Sequence, residues 1–211
     1  MSIYRKSSED RPPDGRRLRS ERTRVRLLDA AIEIIREIDD VPTLGDVAKR
    51  GKTGLRTVYQ HFPTASALYA ATFDHALSTI RATQPDFGPD TPLAERIRGY
   101  VERRAATCEA WGPLWRIYMR LAVRDEALRA KLDMPTQYLR WRLETLFAPE
   151  FAPLPPEGRS TLLDSLVATL DPEVWARLRV TSGRDIESAR AAWRFMLEAL
   201  LSGASGLPGT R

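Results

Sequence analysis

A short polar stretch near the N-terminus carries side chains whose types and spacing suit hydrogen bonding to an extended polar partner. Arg56 and Gln60 lie four residues apart, so a helix would present both on one face. Their donor groups are of the kind that reads base edges in the major groove of DNA. Thr57, Tyr59 and His61 add groups that suit phosphate oxygens. The alternative is a solvated face with no partner, for which a Thr-x-Tyr-x-His-Phe run on one short helix is unusual.

Residue types that support catalysis are scarce. The 211 residues include two histidines and one cysteine, Cys108. No Ser–His–acid spacing, phosphate-binding Gly-rich loop or paired-histidine metal motif is present in the sequence. A lone cysteine within a helical pattern is typical of a small buried apolar residue. The sequence therefore predicts a protein that is not an enzyme, with no cofactor, no metal and no disulfide framework.

The positive charge of the chain is concentrated at one end. Of the net charge of +5, residues 1–62 contribute +4, and the rest of the chain is nearly neutral. A basic N-terminus indicates a polyanionic partner, although charge alone fits a solubilising tail equally well. No run of about 18 apolar residues and no signal-peptide pattern is present, so we expect a cytoplasmic protein that does not contact membranes.

Apolar residues recur at helical spacing between joints rich in glycine and proline, and no strand pattern is present. We therefore predict an all-α fold, with an N-terminal three-helix helix-turn-helix head on a larger helical-bundle body for ligand binding and dimerisation. The predicted segments are a flexible basic arm (1–19), the helix-turn-helix domain (20–64), the helical body (65–202) and a disordered tail (203–211).

The head is predicted helix by helix. Ser20 caps a first helix whose apolar stripe consists of Val25, Leu28, Ile32 and Ile35, and which ends at the segment 39–42. Thr43 and Asp46 form a capping box before a helix of about two turns. Gly51 is expected to supply the left-handed geometry of the following turn. The next short helix runs from Leu55 to Phe62, with Leu55, Val58 and Phe62 inward. Neither short helix is stable alone, so both must pack on the first, as in a helix-turn-helix unit.

The body is predicted to contain helices near 65–82, 92–110, 113–123, 125–147, 158–170, 172–179 and 185–202. Pro135 should kink or split the long segment 125–147. Aromatic and methionine side chains at helical spacing favour a ligand cavity between the helices, and core packing is the alternative for each residue. Arg104 could counter an anionic ligand. The candidate ligand-binding residues are Phe73, Tyr100, Arg104, Cys108, Trp111, Trp115, Tyr118, Met119, Tyr138 and Trp141.

Two later helices carry apolar stripes broader than a surface helix needs. We expect them to form a homodimer interface, with a deeper core of the monomer as the alternative. The candidate interface residues are Leu162, Leu166, Leu170, Trp193, Met196, Leu197 and Leu200.

The stretch Thr43 to Leu68 resembles the DNA-binding head of the TetR family of bacterial transcriptional regulators. The run Thr57-Val58-Tyr59-Gln60-His61-Phe62, followed by Pro63-Thr64, is similar to the end of that family's recognition helix. The resemblance covers roughly residues 22–72, and a weaker one covers Asp171 to Arg179. Two departures are Lys52-Thr53-Gly54, where the family often has Gly-Val-Ser, and Ala65, where many members have a phosphate-contacting lysine.

The resemblance implies a DNA-binding transcriptional regulator, a homodimer that binds double-stranded operator DNA and a small-molecule inducer within the body. A repressor released by its ligand is the expected polarity. Apart from the resemblance, the basic residues of the arm could add contacts to DNA, and whether the arm enters the minor groove is left open. The expected DNA-binding residues are Thr43, Lys52, Thr53, Gly54, Leu55, Arg56, Thr57, Tyr59, Gln60, His61, Thr64 and Arg22. The main alternative is a ligand-independent or architectural DNA-binding protein with a packed body; a pure interaction module is a further one.

Overall fold

The computed structural model describes residues 15–82, 87 and 90–206, and it contains no strand within them. The helices are α1 (Gly15–Ile38), α2 (Leu44–Arg50), α3 (Leu55–His61), α4 (Ala65–Ala82), α5 (Leu93–Ala122), α6 (Glu126–Arg129), α7 (Asp133–Leu146), α8 (Ala148–Phe151), α9 (Pro156–Thr169), α10 (Pro172–Ala176) and α11 (Ile186–Ser202). A π-helical turn (Arg177–Thr181) follows α10, and a 3₁₀ turn (Gly203–Gly206) follows α11. None of these helices is long and apolar enough to cross a bilayer. The predicted all-α class is confirmed.

The chain divides into two compact units between Thr72 and Phe73, inside α4 and not before it. We call residues 15–72 the head and the described residues from 73 onward the body. Of the stripe predicted on α1, Leu28, Ile32 and Ile35 are buried and Val25 is partly exposed, but only Leu28 belongs to the core of the head. The core of the head comprises Leu27, Leu28, Ala30, Ala31 and Ile34 of α1, Val47 and Ala48 of α2, Val58 and Phe62 around α3, and Leu68 of α4.

The first helix begins earlier than predicted. Residues 15–19, expected in a flexible arm, form the first turns of α1, and Ser20 lies inside the helix rather than capping it. The arginines and Leu18 of this segment are good helix formers, so an established helix extends through them readily. The remaining part of the predicted arm, residues 1–14, lies outside the described residues.

The turn between α2 and α3 also differs from the prediction. Gly51 has φ −73°, and the left-handed residue is Lys52, with φ 51°. A side chain at position 51 would still be crowded, because a Cβ there would lie 2.8 Å from Cδ2 of Leu27 on α1 and 3.0 Å from the carbonyl oxygen of Val47. Close packing of α2 on α1 therefore accounts for the glycine at position 51, and a left-handed φ does not.

The body is a bundle in which α5, α7, α9 and α11 surround one apolar core. Trp193 of α11 is fully buried, and its ring lies 4.6 Å from that of Trp175, measured between centroids. Glu109 of α5 accepts hydrogen bonds from Trp175 Nε1 and Arg179 Nε at 2.7 and 2.8 Å. These contacts hold α10 and the π-helical turn against α5.

A buried ion pair holds the start of α5 in the body. Arg96 is 6% exposed and donates two hydrogen bonds to the carboxylate of Glu150, at 2.9 and 2.6 Å. It also donates to the carbonyl oxygen of Leu146 at 2.7 Å, and its guanidinium lies 5.7 Å from the ring centroid of Phe147. The bidentate geometry and the additional acceptor compensate for the loss of water around the guanidinium.

Two predicted helix breaks in the body are corrected. The segments 92–110 and 113–123 form one helix, α5, with Pro113 inside it. Buried residues on both sides of that proline, including Cys108 and Leu114, hold the two halves in place against the local cost of about 3 kcal/mol. The break predicted at Pro135 lies earlier, between α6 and α7, and Pro135 occupies the first turn of α7, where its missing N–H has no helical partner.

The other predicted boundaries are close to the observed ones. The helix predicted over 172–179 ends at Ala176 and continues as the π-helical turn. Residues 203–206 of the predicted disordered tail form the 3₁₀ turn, in which Ala204 is buried. Residues 207–211 lie outside the described part of the chain.

Candidate nucleic-acid interface and ligand cavity

Helix α3 is held by two apolar residues and exposes a polar face. Val58 and Phe62 are buried in the head, whereas Arg56, Tyr59 and Gln60 are exposed on one side. The Tyr59 side chain is 50% exposed, which leaves its hydroxyl available to a partner. The predicted inward position of Leu55 is wrong: this residue is 45% exposed at the start of α3 and belongs to the outer face.

The remaining candidates in the head lie around this face or along α1. Lys52, Gly54, Thr64 and Arg22 are exposed, and Thr53, Thr57 and His61 are partly exposed. Thr43 is exposed, but its hydroxyl is used in the cap of α2. Thr64 accepts a hydrogen bond from the N–H of Ala67 at 3.1 Å and so caps α4.

The capping box of α2 fixes the helix that supports α3. The N–H of Asp46 donates to Thr43 Oγ1 at 3.1 Å, and the N–H of Thr43 donates to the Asp46 carboxylate at 3.0 Å. The Thr43 hydroxyl also donates to that carboxylate at 2.6 Å. These hydrogen bonds hold the pKa of Asp46 below its ordinary value. The predicted capping box is confirmed.

An ion-pair cluster that sequence reasoning missed joins α2 to α1. Arg50 donates to Glu37 Oε1 at 2.9 Å and to Glu33 Oε2 at 3.3 Å. The hydrogen bond from Arg50 lowers the pKa of Glu37. Glu33 and Glu37 lie one helical turn apart, so a single cation can reach both carboxylates. This spacing was the available signal, but it does not reveal which basic residue faces the pair.

Two more contacts, also missed from the sequence, fix the ends of α3 and α4. The Tyr69 hydroxyl of α4 donates to the carbonyl oxygen of Pro42 at 2.6 Å. The guanidinium of Arg24 lies 5.5 Å from the ring centroid of Phe62, the residue that ends α3. Partial burial raises the pKa of Tyr69 further above its ordinary value. Together with the apolar core, these contacts hold α3 and the start of α4 in the head.

The body contains a cavity of about 90 Å³ between α4, α5, α7 and α9. Its wall is mostly aromatic and aliphatic. The residues that line it are Phe73, Ala76, Leu77, Ile80, Arg104, Thr107, Cys108, Trp111, Gly112, Leu114, Trp115, Pro135, Thr136, Leu139, Val167, Asp171 and Pro172. Five of the ten predicted ligand residues are in this wall: Phe73, Arg104, Cys108, Trp111 and Trp115.

The other five predicted ligand residues do not line the cavity. Tyr118 is buried, stacks on Phe73 with 3.7 Å between ring centroids, and donates its hydroxyl to the carbonyl oxygen of Leu128 at 2.8 Å. Tyr100 lies in the core, where burial raises its pKa to about 12. Met119 and Trp141 are 39% and 56% exposed, and Tyr138 packs beside Trp141. The spacing of these residues along the sequence correctly predicted that they lie on helices. It did not reveal which faces of those helices line the cavity.

The fold is that of known regulators. A TetR-family transcriptional regulator from Streptomyces coelicolor superposes with a TM-score of 0.70 at 20% sequence identity, over 88% of this chain and 83% of its own. A transcriptional regulator from Rhodococcus sp. Rha1 superposes with a TM-score of 0.66 at 17% identity, over 90% of this chain and 99% of its own. The chain has the TetR-type regulator fold. In comparisons of sequence, no family model and no curated protein matches it significantly.

Within this fold, most of the predicted dimer residues face the chain's own core. Five of them, Leu162, Leu166, Leu170, Trp193 and Leu197, are at most 2% exposed within the single chain. They cannot contact a second copy, so the prediction is corrected for them in favour of the deeper monomer core. Met196 and Leu200 are partly buried against the same core.

The outer side of α11 has a different composition. Phe195 is 71% exposed there, and Ser188, Ala191, Ala199 and Ser202 share its side at steps of three and four residues. We call these five residues the outer face of α11. A large apolar side chain among small ones on an exposed helix face is a feature of surfaces that pack against another helix.

Proposed function

We propose that the protein is a DNA-binding transcriptional regulator, and not an enzyme, that represses its target genes in the bacterial cytoplasm until a small molecule binds in its body. The observation that carries the proposal is the polar face of α3. Arg56, Tyr59 and Gln60 are exposed together on a helix held by Val58 and Phe62. A rigid short helix of this kind fits the major groove, where Arg and Gln donors distinguish base edges.

The basic residues next to α3 support the same proposal. Lys52 precedes the helix and is exposed, as is Arg22 on α1. Such cations lower the free energy of binding to any DNA sequence by releasing counterions, whereas base contacts discriminate among sequences. Lys52 would therefore position the protein on the phosphate backbone, and Arg56 and Gln60 would provide specificity.

The regulatory step would act through α4. This helix runs without a break from Ala65 to Ala82. Its early residues Leu68 and Tyr69 pack in the head, and its later residues Phe73 and Leu77 line the cavity of the body. A ligand that binds more tightly to one position of α4 shifts the population of the head between DNA-binding and non-binding states.

A dimer is the assembly that this mechanism needs. Two helix-turn-helix heads related by a two-fold axis read two half-sites about one turn of DNA apart. We propose that the outer face of α11, with Phe195 at its centre, contacts the same face of a second copy. Small residues around Phe195 would let the two helices approach closely.

The proposal is tested with an Arg56→Ala variant and an Arg98→Ala control, which removes the same charge from an exposed position on α5. Both are titrated against the intergenic DNA upstream of the gene. Arg56→Ala should weaken specific binding by about 1–3 kcal/mol for each copy, and Arg98→Ala should bind like the unaltered protein. Equal affinity of all three proteins would refute the assignment of α3 as the recognition helix.

An architectural DNA-binding protein without a ligand is the second candidate. It would share the head, but no small molecule would stabilise the body. Ligand binding to the folded state raises the melting temperature by mass action, so stabilisation by a cavity ligand separates the two candidates.

A further inference from the structure

The first two turns of α1 extend beyond the core of the head. Residues 15–22 are helical and all exposed, whereas the first residue of α1 that belongs to the core is Leu27. At the usual rise per residue, this segment projects about 12 Å along the helix axis. We call residues 15–22 the basic extension, because they contain four arginines and a single acidic residue, Glu21.

The charge of the basic extension opposes its helical form. No acidic residue lies in the first turn of α1, and Arg16 and Arg17 stand there, where the helix dipole is unfavourable to cations. Arg19 and Arg22 follow Arg16 at steps of three residues, so like charges are neighbours on adjacent turns. A polyanion relieves both effects when its phosphates neutralise the arginines. The basic extension therefore has the charge of a surface that binds a polyanion.

One side of the basic extension faces the same direction as the proposed DNA contact. Arg17, Arg24 and Ala31 are spaced by seven residues, which is about two turns, so they share one side of α1. Ala31 lies in the core of the head, and the Arg24 guanidinium lies 5.5 Å from the ring centroid of Phe62, which ends α3. α3 therefore lies on this side of α1, with its polar face pointing further outward. Beyond the end of α3, Arg17 points toward the DNA that α3 is proposed to contact.

The helical form of the basic extension restricts how it contacts DNA. A helix with its side chains is about 10–12 Å wide and the minor groove is about 6 Å wide, so residues 15–22 do not fit that groove as a helix. The contact that remains is with phosphate oxygens beside the major groove. A membrane surface is a less suitable partner, because interfacial helices need an apolar face and Leu18 is the one large apolar residue of the basic extension.

We propose that the basic extension forms a second DNA contact, in which Arg17 binds a phosphate next to the half-site read by α3. Arg19 lies two residues further along the helix, on nearly the opposite side, and points away from the DNA. The direction of the DNA rests on the proposed function of α3, but the contact itself is independent of base sequence. It lengthens the contact of each copy with the DNA backbone and adds no base that is read.

The first test compares Arg17→Gln with Arg19→Gln, a matched control that removes the same charge from the same segment. Both positions are exposed and glutamine is a good helix former, so circular dichroism should show an unchanged fold. Binding to the upstream DNA and to a scrambled duplex is measured at several salt concentrations by fluorescence anisotropy. Arg17→Gln should weaken binding to both roughly five- to tenfold at about 0.1 M salt, and should reduce the salt slope by about one for each copy.

Arg19→Gln should bind both duplexes like the unaltered protein. Equal losses in the two variants would indicate a general attraction of charge without a contact by Arg17, and would overturn the proposal. Wild-type affinity and salt slope in Arg17→Gln would overturn it as well.

Arg17→Lys separates a phosphate contact from a structural role of the arginine. Lysine keeps the charge, so the affinity and the salt slope should stay close to those of the unaltered protein. A loss as large as that in Arg17→Gln would contradict a contact that depends on charge. Hydroxyl-radical footprinting of the upstream DNA locates the contact: Arg17→Gln should lose protection of the backbone at the flanks of the site and retain it at the centre. Unchanged protection at the flanks would also overturn the proposal.

These measurements separate the second contact from the proposed function. If Arg56→Ala loses discrimination between the two duplexes and Arg17→Gln binds both normally, the function of α3 stands and the second contact is refuted. If the unaltered protein does not discriminate, but Arg17→Gln alone weakens binding to the scrambled duplex, the second contact stands and sequence-specific regulation fails. Weaker binding of Arg17→Gln to phosphatidylglycerol vesicles, with normal binding to DNA, would overturn the proposal in favour of a membrane surface.

Discussion

At the scale of single residues, different side chains of the proposed interface position the protein on DNA and discriminate among base sequences. Lys52 in the turn before α3 and Arg56 in the first turn of α3 are both exposed cations, yet they are expected to have different roles. A lysine next to the phosphate backbone contributes mainly through counterion release, which is independent of sequence. An arginine on the recognition helix can donate two hydrogen bonds to one guanine. These roles predict different responses to salt and to sequence.

Lys52→Asn should weaken binding to all DNA sequences to a similar extent. It should also reduce the slope of log affinity against log salt by roughly one for each copy, because one phosphate contact is lost. Asparagine is chosen because it tolerates the left-handed φ of 51° at this position. Binding titrations at several salt concentrations measure the slope, with Arg98→Gln as the control for charge. An unchanged slope in Lys52→Asn would show that Lys52 does not contact phosphate.

Tyr59→Phe tests an uncharged contact. We expect the affinity for operator DNA to fall by about 0.5–1.5 kcal/mol for each copy, since one hydrogen bond is removed. The salt slope should remain the same, because no cation is lost. The free energy of unfolding should also remain the same, because the side chain is half exposed. Wild-type affinity in this variant would exclude the hydroxyl from the interface.

At the scale of helices, the head depends on contacts that fix two helices too short to be stable alone. α2 and α3 have seven residues each. The capping box at Thr43 and the pairing of Arg50 with Glu33 and Glu37 attach α2 to its neighbours. Losing either contact would weaken the attachment of the helix that supports α3.

Thr43→Ala removes the cap of α2 and should reduce the free energy of unfolding by about 1 kcal/mol. Thr161→Ala is a matched control: the same substitution lies inside α9, where the hydroxyl bonds only to the carbonyl oxygen of Glu157. Alanine favours the helix interior, so the control should be neutral or slightly stabilising. Urea titration followed by circular dichroism compares the two. Equal effects would argue against a stabilising role for the cap.

The pairing of Glu37 with Arg50 predicts a dependence of stability on pH. Because the folded pKa of Glu37 lies below its ordinary value of 4.5, the carboxylate stabilises the folded state above that value. The stabilisation is lost as the pH falls through the folded pKa. Glu37→Gln should therefore be less stable than the unaltered protein at pH 7, and the difference should disappear in acid. A difference that persists at low pH would assign the effect to packing instead of charge.

Much of this arrangement could be predicted from the sequence, because local chemistry decides it. Thr43 and Asp46 specify a cap by their spacing, and Val58 and Phe62 specify the inner side of α3. Pro113 shows the limit of such reasoning, since buried contacts on both sides of it keep α5 continuous. Trp193 shows another limit: a broad apolar face predicted a partner, but the same chain covers it.

At the scale of the whole molecule, the proposed mechanism requires two copies. Phe195→Arg places a charge at the centre of the outer face of α11 and should convert the dimer to a monomer. The fold should persist, because Phe195 is 71% exposed in the single chain. Analytical ultracentrifugation measures the association, and Val123→Arg, at an apolar position exposed to a similar extent, serves as the control. A dimer of normal affinity in Phe195→Arg would place the interface elsewhere.

The most direct test of the central claim is DNA binding by the unaltered protein at two salt concentrations. The upstream intergenic DNA and a scrambled sequence of the same composition are compared by fluorescence anisotropy. We predict tight binding to the upstream DNA that weakens as salt increases, with much weaker binding to the scrambled DNA. Failure of the folded protein to bind either DNA would contradict its assignment as a DNA-binding regulator, and equal binding to both would contradict sequence-specific recognition by α3.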